Sequence, residues 1–557
     1  MSYYLIDNFA SGLDLRRSVE VAPPGSLRRL ENAFINEGGE IEKRKAFLKH
    51  DVLTAMCQIR GNGEYVGPFP TPGNGNSVFF MSRGDGRVAG DPTANPLSPY
   101  ASEWTQMDVL SNPGAMYHVD GDFTFYSMDS PFLTADPSYV GYMTCGISYS
   151  EFSNFGYVVE HHVAGDGTPT FNHAYVEFSG GAPAVPPSGA DVAVEVAANA
   201  DRAFQKILKN KGYVVLGDVL FVSAVGTPQT MTGTGSGSLN LSTQGSSIGD
   251  AIALGDYYGQ LAIFGKRGVQ FYSVDPDFAQ TQYLRRVSAF LLSPKSVVEY
   301  GDGDVIFLTR SGIRSLQARD SSNFAKVTDV GSPIDALLRD ALQTSSETEA
   351  MGQIARKTSD YFYLSVGAIL PEAGHLWMAV RDRIYVLSRY ASAKVQAWSE
   401  YILPFPAATE EYLTTSKDLG RWVADVCPIG ETLMFRNFAD EVFIYGGIDG
   451  DSYDDTKATI ELPFIDAGRP GDNKYFTGLD LVCRGTWLIE ACTVAKGGET
   501  PSPWVTVAQV TDSTRGNDGR IPFEMQGTQI AFRLTTADVR AAKVAQLGVF
   551  YDMAAQK

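Results

Sequence analysis

The chain has 557 residues, 44% of them apolar and 11% aromatic, enough for roughly two to four domains with sizeable cores. Its formal net charge of −19, from 45 Lys and Arg against 64 Asp and Glu, argues against tight nonspecific DNA binding, because neutralising phosphates needs cations. No apolar run reaches the roughly 18–20 residues of a membrane span, the first residues lack the basic region and apolar core of a signal peptide, and the five scattered cysteines (Cys57, Cys145, Cys427, Cys483 and Cys492), with no CxxC, read as reduced, mostly buried thiols of a protein assembled in the cytosol.

In chain order, residues 1–50 form an N-terminal segment. Leu27, Leu30 and Phe34 stand at helical spacing after Ser26, a helix-capping residue type, which predicts a short helix there. Glu37-Gly38-Gly39-Glu40 is a turn, and Ile41 to Phe47 resembles a strand that carries Lys43 and Arg44. Residues 83–110, rich in Gly, Pro, Asn and Ser, read as a long loop. Residues 160–200 include GGAPAVPPSGAD and read as an insertion with its own hairpin; Ala197 to Asn210 reads as a short helix. Residues 226–250 are low in complexity and read as a surface loop between repeats. Ser332 to Leu342 is an amphipathic helix with Pro333 in its first turn. After Asp449 the rhythm changes, and residues 451–557 predict a C-terminal β domain of sandwich type.

Between these landmarks one pattern recurs: a Gly, a polar residue, then an apolar run rich in Val, Ile, Phe and Tyr, which is a strand signal. GNSVFFMS begins at Gly75, GDFTFYSM at Gly121, GDVLFVSA at Gly217, GQLAIFGK at Gly259, GDVIFLTR at Gly303 and GETLMFRN at Gly430. Gly217, Gly259 and Gly303 are 42 and 44 residues apart, and Gly75 and Gly121 are 46 apart. From Gly303 to Gly430 is 127 residues, close to three such steps, with weaker copies near Tyr361 and Trp377; the 96 residues from Gly121 to Gly217 must hold a unit plus an insertion. A period of roughly 40–50 residues built of short strands marks a β-propeller with one four-stranded blade per period. The predicted architecture is therefore all-β: a propeller of about 6–8 blades over residues 51–450, with insertions around 83–110, 160–200 and 226–250, closed by the N-terminal segment 1–50 and followed by the sandwich-like domain 451–557.

No combination of residues forms a catalytic set. GSSIG, Gly245 to Gly249, matches the nucleophile elbow around Ser247, but only His375 follows it and no helix does. IDGDSYDDT offers Asp449 and Asp451 at the first and third positions of a calcium loop, then Asp454 where Gly is needed and Ile460 where Glu is needed. The six histidines (His50, His118, His161, His162, His173 and His375) lack metal spacing, and His161 and His162 are adjacent on a predicted strand, so they point to opposite faces. Asp302 and Asp304 could be cast as the carboxylates of a glycoside hydrolase, but acids at turns are commoner as turn residues. No cofactor or metal is expected, and an enzyme is not.

The N-terminal line NFASGLDLRR…GSLRRLENAFINEGGEIEKRKAF resembles the opening of the tail nozzle proteins of short-tailed bacteriophages, also called tail tubular or packaged-DNA stabilisation proteins. The family pattern corresponds here to Gly12, Gly25-Ser26, Asn32, Gly39 and Lys43-Arg44; where members usually continue with Pro, this chain has Lys45-Ala46. FGKRGVQFYSVDPD, GDGDVIFLTRSGIRSL and IELPFIDAGRPGDNKYFTGLDLVCRGTW are similar to the same family, so the resemblance spans most of residues 1–490 but not 83–210. It implies a structural virion protein of the tail, made in the host bacterial cytoplasm. It implies a homohexamer below a head-to-tail adaptor protein, in contact with tail fibres or a tail tip or needle, through which DNA passes without sequence-specific binding. The competing expectation is a carbohydrate-binding or glycoside-hydrolase-like β-propeller.

Overall fold

The structure, a computed structural model, describes residues 2–23, 25–52, 55–60, 77–82, 142–152, 155–164, 169–179, 182–183, 204–216, 218–227, 231–244, 247–249, 251–301, 304–318, 325–343, 365–370, 373–403, 423–429, 432–437, 441–447, 450–497, 500–513 and 520–553. The chain opens with β1 (Ser2–Ile6), β2 (Arg29–Glu31), β3 (Ala33–Ile35), β4 (Ile41–Lys43), β5 (Phe47–Val52), β6 (Ala55–Arg60) and β7 (Ser77–Ser82). The helix expected after Ser26 is absent: residues 29–35 are two short strands on either side of Asn32, whose φ of 54° breaks the chain between them. Backbone pairing decided this. β2 bonds antiparallel to a C-terminal strand and β3 to β4, and those ladders outweigh the apolar spacing.

Antiparallel four-stranded sheets then follow one another. They are β8 (Tyr142–Phe152), β9 (Phe155–Ala164), β10 (Pro169–Ser179) and β11 (Ala182–Pro183); β12 (Phe204–Leu208), β13 (Lys211–Leu216), β14 (Val219–Val222) and β15 (Gly237–Asn240); β16 (Ala251–Tyr257), β17 (Gln260–Gly265), β18 (Gly268–Tyr272) and β19 (Tyr283–Val287); and β20 (Val298–Tyr300), β21 (Asp304–Thr309), β22 (Gly312–Ala318) and β23 (Ala325–Thr328). After the helix α1 (Asp335–Gln343) come β24 (Ser365–Leu370), β25 (His375–Val380), β26 (Arg383–Tyr390) and β27 (Val395–Ile402), then β28 (Val423–Ile429), β29 (Thr432–Asn437) and β30 (Glu441–Tyr445). β5 completes the last of these sheets, pairing Tyr445 with Phe47. The expected closure by the N-terminal segment is thus made by residues 47–52, while β1 to β4 go elsewhere.

The first strands of successive sheets touch in the order β8, β12, β16, β20, β24 and β28; β28 touches β8 and β6, and β6 touches β8. That closed circuit of sheets is a β-propeller-like ring. Middle strands are covered on both faces, so β17 and β25 read as unbroken apolar runs, buried along their length, rather than alternating ones. Two-residue turns with positive φ at both positions, Lys209-Asn210 and Tyr258-Gly259, match the twist of the strands they join.

Three expected boundaries need correction. Residues 226–250 are not an insertion: they supply β15, the fourth strand of its sheet, and bury Met231, Leu241 and Ile248. Residues 160–164, 169–179 and 182–183 belong to the β8–β11 sheet, and within the helix expected over 197–210 the described residues are strand β12, Phe204–Leu208, and a turn; 184–203 and 83–110 lie outside the described residues. The repeat phase also differs. The second strands begin at residues 155, 211, 260, 304, 375 and 432, whereas the unit at Gly217 leads into a third strand, so the 42-residue step from Gly217 to Gly259 joins two different positions of the blade while the 44-residue step from Gly259 to Gly303 joins equivalent ones.

The chain ends with β31 (Ala458–Glu461), β32 (Lys474–Arg484), β33 (Thr486–Val494), β34 (Val505–Thr511), β35 (Ile521–Gly527), β36 (Gln529–Thr536) and β37 (Lys543–Met553). They form two packed layers, as expected of a sandwich, but not a separate one. β2 pairs parallel with β27 at Glu31 and Glu400 and antiparallel with β31, which joins the β24–β27 sheet to β31, β36, β33 and β34 in one nine-stranded sheet. The facing sheet runs β3, β4, β37, β32, β35, with β1 on β37. α1 is held against β22 by a two-pronged ion pair from Arg314 to Asp335, both bonds 3.0 Å.

Candidate functional site at the N-terminal junction

The residues of the N-terminal pattern, scattered over more than thirty positions, meet where the ring joins the C-terminal layers. Gly12 has φ +54° and bridges Trp398; a Cβ there would lie 2.6 Å from Ala397 Cβ. Gly25 has φ +83°, and its Cβ would lie 2.2 Å from the Asn8 carbonyl oxygen. Both sites therefore need glycine for conformation and for space.

Asn32 is the centre of the junction. It is buried and left-handed, a conformation Asn tolerates better than most residues. Its backbone N–H donates to Glu400 O at 2.8 Å, its Nδ2 donates to Lys457 O at 2.9 Å, and its Oδ1 accepts from Arg44 Nε and from the Ile402 backbone N–H, both at 3.0 Å. One side chain thus ties ring strand β27, the N-terminal segment and the approach to β31.

The Lys43-Arg44-Lys45 run supplies the rest. Lys43 Nζ donates to the carbonyls of Asp454 and Asp538, each at 2.6 Å. Arg44 is fully buried; its Nη1 donates to Lys45 O at 2.7 Å and reaches Asp454 Oδ2 at 3.4 Å, and its guanidinium carbon sits 4.2 Å over the Phe47 ring. Lys45 Nζ bonds Gly450 O and, at 2.9 Å, Asp451 Oδ1. Burial pushes the Lys43 ammonium and the Arg44 guanidinium below their ordinary pKa values, with Asp454 pulling both back up. Beneath Arg44, Phe47, Trp377, Tyr401 and Tyr445 form a buried aromatic cluster with edge-on contacts such as Trp377 to Tyr445 at 4.9 Å. Beside it His375 is buried against Phe34 at 4.8 Å, with Nε2 3.3 Å from the Tyr390 hydroxyl; burial drives its pKa down to about 3, so the ring is neutral.

Among the described residues the candidate chemical residues do not assemble. Ser247 is exposed in a turn, its Oγ accepting from the Gly249 N–H at 3.1 Å, with no strand-to-helix elbow. The calcium-like loop is filled by cations of the chain itself: Lys45 takes Asp451, and Arg44 takes Asp454, while Asp449 lies outside the described residues. Asp304 pairs with Arg389 at 3.6 Å, and burial raises its pKa; Asp302 lies outside the described residues. His161 and His162 do lie on a strand, β9. Cys483 and Cys492 are free, Cys492 buried and pushed up to about 11 by that burial. Among the described residues no cluster of His, Cys, Asp or Glu could hold a metal, and no helix is long and apolar enough to cross a membrane. What the arrangement does is mechanical: it spends buried cations and one left-handed Asn on fixing two bodies of the chain together. The family resemblance singled out Asn32, Lys43 and Arg44, and Asp454 stood in the sequence only as a misfit in the calcium-like loop; Asp538 and the aromatic cluster come from distant segments with no motif.

No protein family matches the chain, and no curated protein does. Among solved structures it is similar to PorZ, described as an essential bacterial surface component of the type-IX secretion system of Porphyromonas gingivalis, with 12% identity and a TM-score of 0.29. The match covers 68% of this chain and 54% of PorZ, so the chain spans about half of that protein's length, and at this score the likeness assigns no role.

Proposed function

We propose that the chain is a tail nozzle protein of a short-tailed bacteriophage: six copies form the distal channel of the tail, retain packaged DNA and guide its exit. The observation that carries this reading is the pattern Gly12, Gly25-Ser26, Asn32, Gly39 and Lys43-Arg44, which resembles the family's opening. Its support is that Gly12, Asn32, Lys43 and Arg44 each have a specific stereochemical duty at one junction, so the pattern records a way of joining ring to layers rather than a chance composition. The all-β ring and the net charge of −19 suit a channel that DNA must slide through without sticking.

The test is a nonsense allele in the phage that encodes the chain. Particles made without it should lack the tail's distal end in negative stain and lose packaged DNA from filled heads. Intact tails, or full infectivity, would overturn the reading.

A further inference from the structure

Two positive charges are fully buried at the N-terminal junction, those of Lys43 and Arg44. A buried charge without a counter-charge strongly opposes folding. The neighbouring carboxylates are mostly engaged. Lys43 Nζ is held by the carbonyls of Asp454 and Asp538, which carry no net charge. The Asp538 carboxylate accepts from Arg540 at 3.1 and 3.2 Å and from the Thr486 N–H at 3.0 Å. Asp451 is exposed and taken by Lys45, and Asp455 is exposed as well. Asp454 is partly exposed, reaches Arg44 Nη1 only at 3.4 Å, and also accepts from the N–H groups of Phe47 and Thr456 at 3.4 and 3.1 Å. One weakly placed carboxylate therefore faces two buried cations.

Hydrogen-bond donors are in surplus at the same place. Arg44 uses Nε on Asn32 and Nη1 on Lys45 O, but its buried Nη2 makes no hydrogen bond. Neither does the buried indole Nε1 of Trp377. Both groups belong to one aromatic cluster. The Arg44 guanidinium lies over Phe47, the Phe47 ring is 6.0 Å from Trp377, and Trp377 is 5.3 Å from Tyr401. The Tyr401 hydroxyl faces that of Tyr445, and burial raises the pKa of both phenols, so they stay neutral and able to donate.

We propose that this cluster binds a small monovalent inorganic anion of the halide type, chloride in ordinary buffers, against Arg44 with Trp377 as a second donor. Water could accept the unused N–H groups but would leave the charge unbalanced; a monovalent anion answers both. A sulfate or phosphate would bring more charge than Arg44 can balance and more oxygens than the buried donors can bond. Trp377 lies on β25 and Tyr401 on β27, both in the ring, whereas Arg44 follows β4 of the C-terminal layers. The anion therefore acts as a counter-ion that fastens the N-terminal segment to the ring. The inference does not rest on the nozzle reading.

The experiment dialyses the purified full chain into sodium gluconate, then follows heat unfolding as gluconate is exchanged for chloride or bromide at constant ionic strength. The unfolding temperature should rise with either halide and level off, as the filling of a single site requires. Trp377→Phe keeps the ring contacts and removes one donor, so it should raise the half-saturating halide concentration by about tenfold. Trp487→Phe is the control: its Nε1 donates to Arg484 O at 3.0 Å, away from the cluster, and the halide response should stay as it was. Crystals grown in bromide should show an anomalous peak beside Arg44. Equal unfolding temperatures in gluconate and halide would overturn the inference, as would an unchanged response in Trp377→Phe. Should that variant fail to fold, the bromide crystal decides, and the absence of a peak at Arg44 would overturn the inference. Failure here leaves the nozzle proposal standing, because that proposal is read on particles.

Discussion

Asn32 combines an unfavourable backbone with five hydrogen bonds, three of them from its side chain, and the two effects separate by substitution. Asn32→Gly keeps the left-handed φ but leaves Arg44 Nε, the Ile402 N–H and the Lys457 carbonyl without their side-chain partner, a cost of about 2–4 kcal/mol. Asn32→Ala adds the steric penalty of φ 54°, about 1–2 kcal/mol more. Denaturant unfolding of both variants checks the order; equal losses would show that the backbone at Asn32 is unstrained. His375 makes a second residue-scale prediction. Its folded pKa of about 3 lies below its ordinary 6.5, so the folded protein binds fewer protons than the unfolded chain between those values. Stability is therefore complete above pH 6.5 and falls as pH falls toward 3, by about 1.4 kcal/mol per unit, or about 2 kcal/mol from pH 7 to pH 5. His375→Gln should flatten that slope. An unchanged slope would assign the acid sensitivity to other groups.

At the scale of elements, residues 226–250 show what the sequence could and could not tell. Gly, Ser and Thr are poor strand formers on average, and the segment reads as filler. Its strand β15 is nonetheless fixed by the ladder to β14, with Leu239 opposite Leu220, and by burial of Leu241 behind it. Deleting residues 237–243 should then unravel the β12–β15 sheet, seen as early proteolysis within 204–240 and loss of cooperative unfolding. Inserting a short Gly-Ser stretch at Gly233 should be tolerated, since that position is open to solvent and each doubling of loop length costs about 0.6 kcal/mol. If deletion and insertion prove equally mild, β15 is dispensable. The misread helix over 27–34 has the same origin. Local spacing favoured one conformation and partners from residues 458–461 imposed another. Middle strands such as β17, β21 and β25 were legible because burial on both faces writes itself as a continuous apolar run.

For the whole molecule, the ring was legible from repetition, while its union with the C-terminal layers was not. That union depends on β2, three residues long, bridging β27 and β31, and on a buried Arg44 whose partner lies 410 residues away. A three-residue strand has no periodicity to read, and a partner so distant has no spacing. Charge, in contrast, is legible as a sum, and it yields the last prediction. Under the nozzle proposal a channel that holds DNA mechanically gains nothing from binding it, and a chain of net charge −19 has few phosphate contacts to make. Fluorescence anisotropy with duplex DNA should give no saturable binding at 50 mM or 200 mM salt. A protein that neutralised several phosphates would bind at micromolar strength in low salt and weaken steeply as salt rose, with a slope near 0.9 per contact. Such a slope would show a basic surface that neutralises phosphates, and under the nozzle proposal DNA retention would then rest on adhesion rather than on a repelling bore.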